Sequence, residues 1–173
     1  MRRCAALIGL LFVSSTLEAQ LSTSGERQKP FTDPLLDNLV GDWHVTRRLA
    51  GGHSSESSLH VEWVLNHQFL ELHYRTLVSP PDFEAKVFIG FEPKAQHYVM
   101  HWLDIAGGTA SKTVATGTLD EAAHTIYFQF YYPDSQLLNA FAFDPSSKTW
   151  TSVIRQKSKG QWTLLAEDKI TRP

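Results

Sequence analysis

Two short stretches carry side chains that could do chemistry together. Glu71, His73 and Arg75 alternate in QFLELHYRTLV, and His60 and Glu62 alternate just before them in LHVEWVLNH. In extended chain alternate residues share a face, so each set would line one side of a strand. Two imidazoles and two carboxylates on neighbouring strands (His60, Glu62, Glu71 and His73) form a donor set for a divalent metal. Further along, Asp104 closes the aromatic run HYVMHWLD, and Arg47, Asn139, Gln156 and Asp168 interrupt otherwise apolar alternation. A carboxylate such as Asp104 can hold a cation or a hydroxyl, or accept a proton as a general base.

Which side these groups face depends on strand register, because a one-residue slip moves every side chain of one strand to the other face. With Asn66-His67 as a turn, Trp63 opposes Leu70, Val61 opposes Leu72 and Leu59 opposes Tyr74. The other face then pairs His60 with His73 and Glu62 with Glu71. The slipped register would set Trp63 against Glu71 and mix the faces. Apolar residues therefore point inward, and Glu71, His73 and Arg75 point to solvent. Diagonal Glu–His contacts relieve the Glu62–Glu71 repulsion. A solvated outer face is a better account of this patch than a metal centre, because structural metal sites more often use Cys or clustered His.

The same test extends down the chain. A turn at Pro93 to Gln96 sets Phe91 against Tyr98, Ile89 against Met100, Val87 against Trp102 and Ala85 against Asp104. A turn at Asp120 to Ala123 sets Gly117 against Ile126, Ala115 against Phe128, Thr113 against Phe130 and Ser111 against Tyr132. Turns at Pro133–Gln136 and Pro145–Lys148 pair Phe130 with Asn139, Phe143 with Trp150 and Asn139 with Ile154. Around Gly160, Gln156 meets Trp162 and Ile154 meets Leu164. About ten antiparallel strands thus follow one another as hairpins with one shared apolar face, and an up-and-down barrel is the arrangement that removes both sheet edges. The connections are too short for the crossovers of a sandwich. DPLLDNLV, with Asp33 as cap and Pro34 in the first turn, predicts one short N-terminal helix.

Composition agrees with one folded domain. The chain has 173 residues, 42% hydrophobic and 20% charged, with a net charge of −2 that gives no electrostatic case for nucleic acid. Residues 1–19 (MRRCAALIGLLFVSSTLEA) combine a basic start, a short apolar run and a small-residue exit, the pattern of a secretory leader. The run is too short to span a bilayer, so no membrane span is expected once the leader is removed. Residues 20–30 read as a flexible lead-in and 31–173 as the barrel domain. The expected location is periplasmic or secreted. The single Cys, Cys4, lies in the leader, so the exported chain would fold without disulfides.

LVGDWHV places Gly41 and Trp43 at the start of the first strand, and ITRP places Arg172 at the end of the last. This pair resembles the lipocalin/calycin signature, in which a first-strand Trp at the closed end is covered by a last-strand Arg. FIGFEPKAQHYVMHWLD is similar to DUF1579, a lipocalin-like bacterial family of unknown function, at Gly90, Phe91, Tyr98, Trp102 and Asp104, with Glu92 where Asp is usual. The resemblance implies a calycin-like barrel with its helix at the closed end, and no defined activity. The late-strand haem-ligating His of nitrobindin-like barrels is absent, since no His follows His124, and so is the terminal Arg-x-Tyr clamp of fatty-acid-binding barrels.

Counting from Trp43 beside Arg172 sets Arg47 opposite Asp168, an interior pair across the first and last strands. Trp43, Arg172 and Asp168 are the expected closure residues. Arg47, Tyr74, Tyr98, Trp102, Asp104, Tyr132 and Asn139 are the candidate ligand-binding residues, in an interior otherwise crowded by Trp63, Phe128, Phe130, Phe141, Trp150 and Trp162. The expected function is an exported module binding a small apolar or amphipathic ligand, with no cofactor or metal. The alternatives are an enzyme using Asp104 with a tyrosine for acid–base chemistry, and a filled barrel that binds a protein partner through His60, His73 and His101. Asp104 could equally bond the IAGG turn that follows it.

Overall fold

The computed structural model describes residues 29–173. The expected leader and most of the lead-in lie outside the described residues. Ten strands follow in order: β1 (Gly41–Leu49), β2 (Ser54–Val64), β3 (Phe69–Thr76), β4 (Glu84–Glu92), β5 (His97–Asp104), β6 (Val114–Asp120), β7 (Thr125–Tyr131), β8 (Gln136–Asp144), β9 (Thr149–Ser158) and β10 (Gln161–Thr171). Each pairs antiparallel with its neighbours in sequence, and β10 returns to β1, so the sheet closes as an up-and-down barrel. Closure leaves no unpaired edge, which suits a chain of hairpins this long. Among the described residues, no helix is long and apolar enough to cross a membrane.

The one α-helix among the described residues, α1 (Pro34–Asp37), seals one end. Asp33 caps it: its Oδ1 accepts from the Leu35 and Leu36 N–H groups at 2.9 and 3.0 Å. Leu36 and Leu39 plug the barrel beneath it, and the Trp43 indole donates to the Leu39 carbonyl at 2.6 Å. The Arg172 guanidinium lies 3.6 Å from the Trp43 ring centroid and donates to the Val40 carbonyl at 3.1 Å. Gly41 makes this approach feasible. Its φ is +116°, and a Cβ there would sit 2.6 Å from Arg172 Nη1.

The β2–β3, β4–β5 and β8–β9 registers are those read from the sequence, Leu59 opposite Tyr74 and Ala85 opposite Asp104 included. Two hairpins differ by one full pleat. Gly117 faces Phe128, not Ile126, and Leu119 faces Ile126. Phe128 faces Asn139, and Phe130 faces Leu137. Faces are unchanged, because a two-residue shift preserves parity. The β6–β7 turn sits one residue later than expected, with His124 in the left-handed region at φ 48°. Ser111 and Thr113 therefore precede β6, Ser111 within a 3-10 turn over Ala110–Lys112.

The β9–β10 hairpin needs a real correction. Trp162 opposes Lys157 and Leu164 opposes Arg155, and the register shifts between Leu164 and Ala166. Trp162 and Leu164 therefore face outward, 41% and 42% exposed, and Trp162 is no part of the core. Lys157 Nζ lies 5.8 Å from its ring centroid on that outer face. The bulge restores inward parity, so Ala166, Asp168 and Ile170 are buried.

Candidate functional site

Two polar features interrupt the interior, and one side chain links them. The first lies on the seam between β1 and β10. Arg47 Nε and Nη2 each donate to one oxygen of Asp168 at 2.7 Å, a fork-to-fork pair. Asp168 is fully buried, and the Arg47 guanidinium also lies 5.5 Å from the Phe83 ring centroid. Burial works against the Arg47 charge, but hydrogen bonding and attraction to Asp168 outweigh it and raise its pKa. Tyr74 is close enough to feel both charges. Burial first, then Asp168, pushes its phenol far above the ordinary value, with Arg47 opposing. The buried Tyr74 hydroxyl has no hydrogen-bond partner.

The second feature is a cavity of about 160 Å³ at the barrel end opposite α1. Phe130, Leu137 and Ile154 give it apolar walls, Trp102 and Tyr132 aromatic ones, and Asp104 and Asn139 the polar groups. They come from β5, from β7 and the residue just beyond it, and from β8 and β9, so four strands bring inward-facing residues to the same mouth. Trp102 also stacks on Tyr74 at 5.8 Å between centroids and so forms the wall between cavity and seam.

Asp104 does both things that its type allows. Its Oδ1 accepts the Ala106 N–H at 2.9 Å and fixes the turn after β5, while Oδ2 accepts the Trp102 indole N–H at 3.0 Å. Asn139 is buried and its Oδ1 accepts the Ser152 hydroxyl at 2.9 Å. Phe130 and Tyr132 stack almost parallel at 6.3 Å. Burial, then the nearby Asp104 charge, raises the Tyr132 phenol above its ordinary value, so it is a hydrogen-bond donor at neutral pH.

Of the candidate ligand-binding residues, Trp102, Asp104, Tyr132 and Asn139 line this cavity. Arg47 and Tyr74 belong to the neighbouring seam. Tyr98 is at the other end of the barrel, where its hydroxyl donates to Asp33 Oδ2 at 2.5 Å and its ring packs edge-on against Phe91. Leu137 and Ile154 were not singled out as site residues. Ile154 is marked in the sequence by its register with Asn139, whereas Leu137 meets Phe130 only in the corrected β7–β8 register.

The outer patch resolves into pairs. His60 Nδ1 lies 2.6 Å from Asp42, His73 Nε2 lies 2.6 Å from Glu84, and Lys86 donates to Glu71 at 2.5 Å. Hydrogen bonding from His73 is the main cause that holds Glu84 below its ordinary value. His101 Nε2 lies 2.8 Å from the Ser111 carbonyl oxygen. Among the described residues, no group of three or more His, Cys, Asp or Glu could hold a metal. Larger clefts, of about 260 to 360 Å³, lie outside the barrel: beside the β9–β10 tip, beneath α1 and along the outer face of β1–β3.

No curated protein matches the chain. Among solved structures, a redesigned beta barrel aligns over 79% of this chain and 93% of its own at 15% identity, with a TM-score of 0.41. A family model described as a protein of unknown function, DUF1579, matches residues 32–170, from the α1 cap to the inward-facing Ile170 beyond Asp168. That match takes in all ten strands of the barrel, and the chain belongs to the DUF1579 family.

Proposed function

We propose that this protein is an exported binding module that holds a small apolar or amphipathic ligand in the open-end cavity. The observation that carries this reading is the lining itself: aromatic and aliphatic walls with two polar groups, Asp104 and Asn139, on a rigid barrel. That is the usual composition of a small-molecule site. The size is that of one ring or a short chain, since an engineered cavity of about 150 Å³ in another protein accepts benzene. Export is supported by the sequence of residues 1–19 alone.

Native mass spectrometry of the purified protein, with indole titrated by NMR, tests both parts. The expected results are a chain beginning at Gln20 and indole-induced shifts at Trp102, Phe130 and Ile154. Narrowing the cavity with Leu137→Trp should abolish those shifts while the far-UV spectrum stays unchanged. Recovery of the chain from the cytoplasmic fraction alone, with residues 1–19 intact, overturns the export reading. No bound mass and no indole shifts at the cavity residues overturn the ligand reading.

A further inference from the structure

We infer that the ligand of this cavity carries a cationic head, an alkyl- or arylalkyl-ammonium, seated on Asp104. The inference rests on the reading of the cavity as a ligand site and names the chemistry that fits it.

The reasoning starts from charge. Asp104 makes two hydrogen bonds, from Trp102 and from the Ala106 backbone. Among the described residues, no Lys, Arg or His pairs with it; the ion pairs of the barrel are all made elsewhere. Arg47, the interior cation of the seam, is committed to Asp168 through both nitrogens of its fork. Lys157, on the adjacent hairpin, is turned to the outer face against Trp162. The cavity lining therefore holds one carboxylate with no ion-pair partner, between aromatic walls, while Lys157 and Lys159 line the neighbouring cleft beside Tyr132.

Each Asp104 oxygen has accepted one hydrogen bond and keeps room for another, since an ionised carboxylate offers about four acceptor positions. The two bonds already made orient the carboxylate without neutralising it. Trp102 and Tyr132 line the same cavity, and an aromatic wall attracts a cation held over its face. An anionic ligand would meet Asp104 unpaired, and a neutral hydroxyl would use the acceptor without the charge. An ammonium uses both, and hydrogen bonds with an ionised partner are roughly twice as strong as neutral ones. The apolar remainder of the ligand then meets Phe130, Leu137 and Ile154.

Three probes of one size test this: benzylamine, benzyl alcohol and benzoate, titrated into the folded protein by NMR and calorimetry. The expected order of affinity is benzylamine, then benzyl alcohol, then benzoate. Asp104→Asn keeps a side-chain oxygen for the Trp102 indole. It should weaken benzylamine about 10- to 100-fold and leave benzyl alcohol within about threefold. Equal binding of benzylamine and benzyl alcohol by the unsubstituted protein overturns the cationic head while the cavity reading stands. Binding of none of the three overturns both. If Asp104→Asn unfolds the chain, Asn139→Leu gives the second reading: retained amine preference supports Asp104 as the seat, and its loss overturns that placement.

Discussion

Removing Arg47 should be among the costliest single changes in this barrel, and its cost should depend on pH. Asp168 has a side chain 1% exposed and receives two hydrogen bonds at 2.7 Å from one guanidinium. In Arg47→Met that carboxyl stays enclosed beside Tyr74 with no counter-charge. Breaking a buried pair in this way typically costs about 3–5 kcal/mol. A ceiling comes from protonation. Holding a carboxyl neutral at pH 7, when its unfolded value is about 3.9, costs about 4 kcal/mol. The same step at pH 5 costs about 1.5 kcal/mol. The destabilisation should therefore be about 4 kcal/mol at pH 7 and shrink to about 1.5 kcal/mol at pH 5. The penalty of leaving the carboxylate without its counter-charge is small near the unfolded value and grows with pH. Asp168→Asn should cost less, about 1–3 kcal/mol, because the Arg47 side chain is 16% exposed and can reach water. The double variant Arg47→Met/Asp168→Leu should recover most of the loss, since a buried pair replaced by apolar side chains is often neutral. Urea unfolding followed by tryptophan fluorescence measures all three, and the double-mutant cycle gives the coupling. A single-variant loss under about 1 kcal/mol at pH 7, or strictly additive effects, refutes the seam as a buried ion pair.

Three further outcomes follow from other parts of the barrel. Tyr74→Phe removes a buried hydroxyl that has no partner, so it should leave stability unchanged or raise it by about 1 kcal/mol in urea; a loss of that size would show that the hydroxyl is bonded. Gly117→Ala should cost about 1–3 kcal/mol, because a Cβ there would lie 2.7 Å from the Phe128 ring and 2.9 Å from Tyr98 Cβ; a neutral effect would favour the register in which Gly117 faces Ile126. Asp144 should titrate well below the usual carboxylate range by NMR. Hydrogen bonds from the Ser146 and Ser147 side chains hold it down, so the support it gives the β8–β9 turn is present above its unfolded value and lost as pH falls through the folded one. Ser146→Ala with Ser147→Ala should return it toward the ordinary value.

Parity was legible in the sequence except in the first half of β10, and height along the barrel was not. Alternation tells which face a residue takes, and Trp63, Leu70, Val87 and Met100 all take the face it assigns. It cannot tell a correct register from one displaced by two, which is why Gly117 and Phe128 meet where Ile126 was expected. Size offered the missing clue, since the glycine leaves room for the larger ring. Height also separates Tyr98 from Asp104. Both point inward from β5, but six steps of extended chain, about 20 Å, lie between them. One serves the helix cap and the other the open mouth. Register placed Trp102 and Asp104 at the open mouth, and parity alone placed Tyr132 and Asn139 on the inner face, since the β7–β8 register is displaced by two.

The last strand shows why a break in alternation can be the most informative residue in a hairpin. At the β9–β10 tip, Trp162 and Leu164 face outward opposite Lys157 and Arg155. Continued without interruption, that parity would carry Asp168 and Ile170 outward as well, and Arg47 would face the core alone. The bulge at Leu165 reverses the parity once, at the adjacent apolar pair Leu164-Leu165. It lets one strand present a Trp to solvent at one end and deliver a carboxylate to the seam further along. Closure through Arg47 and Asp168 and the exposure of Trp162 are therefore two consequences of the same irregularity. A regular β10 could supply only one of them.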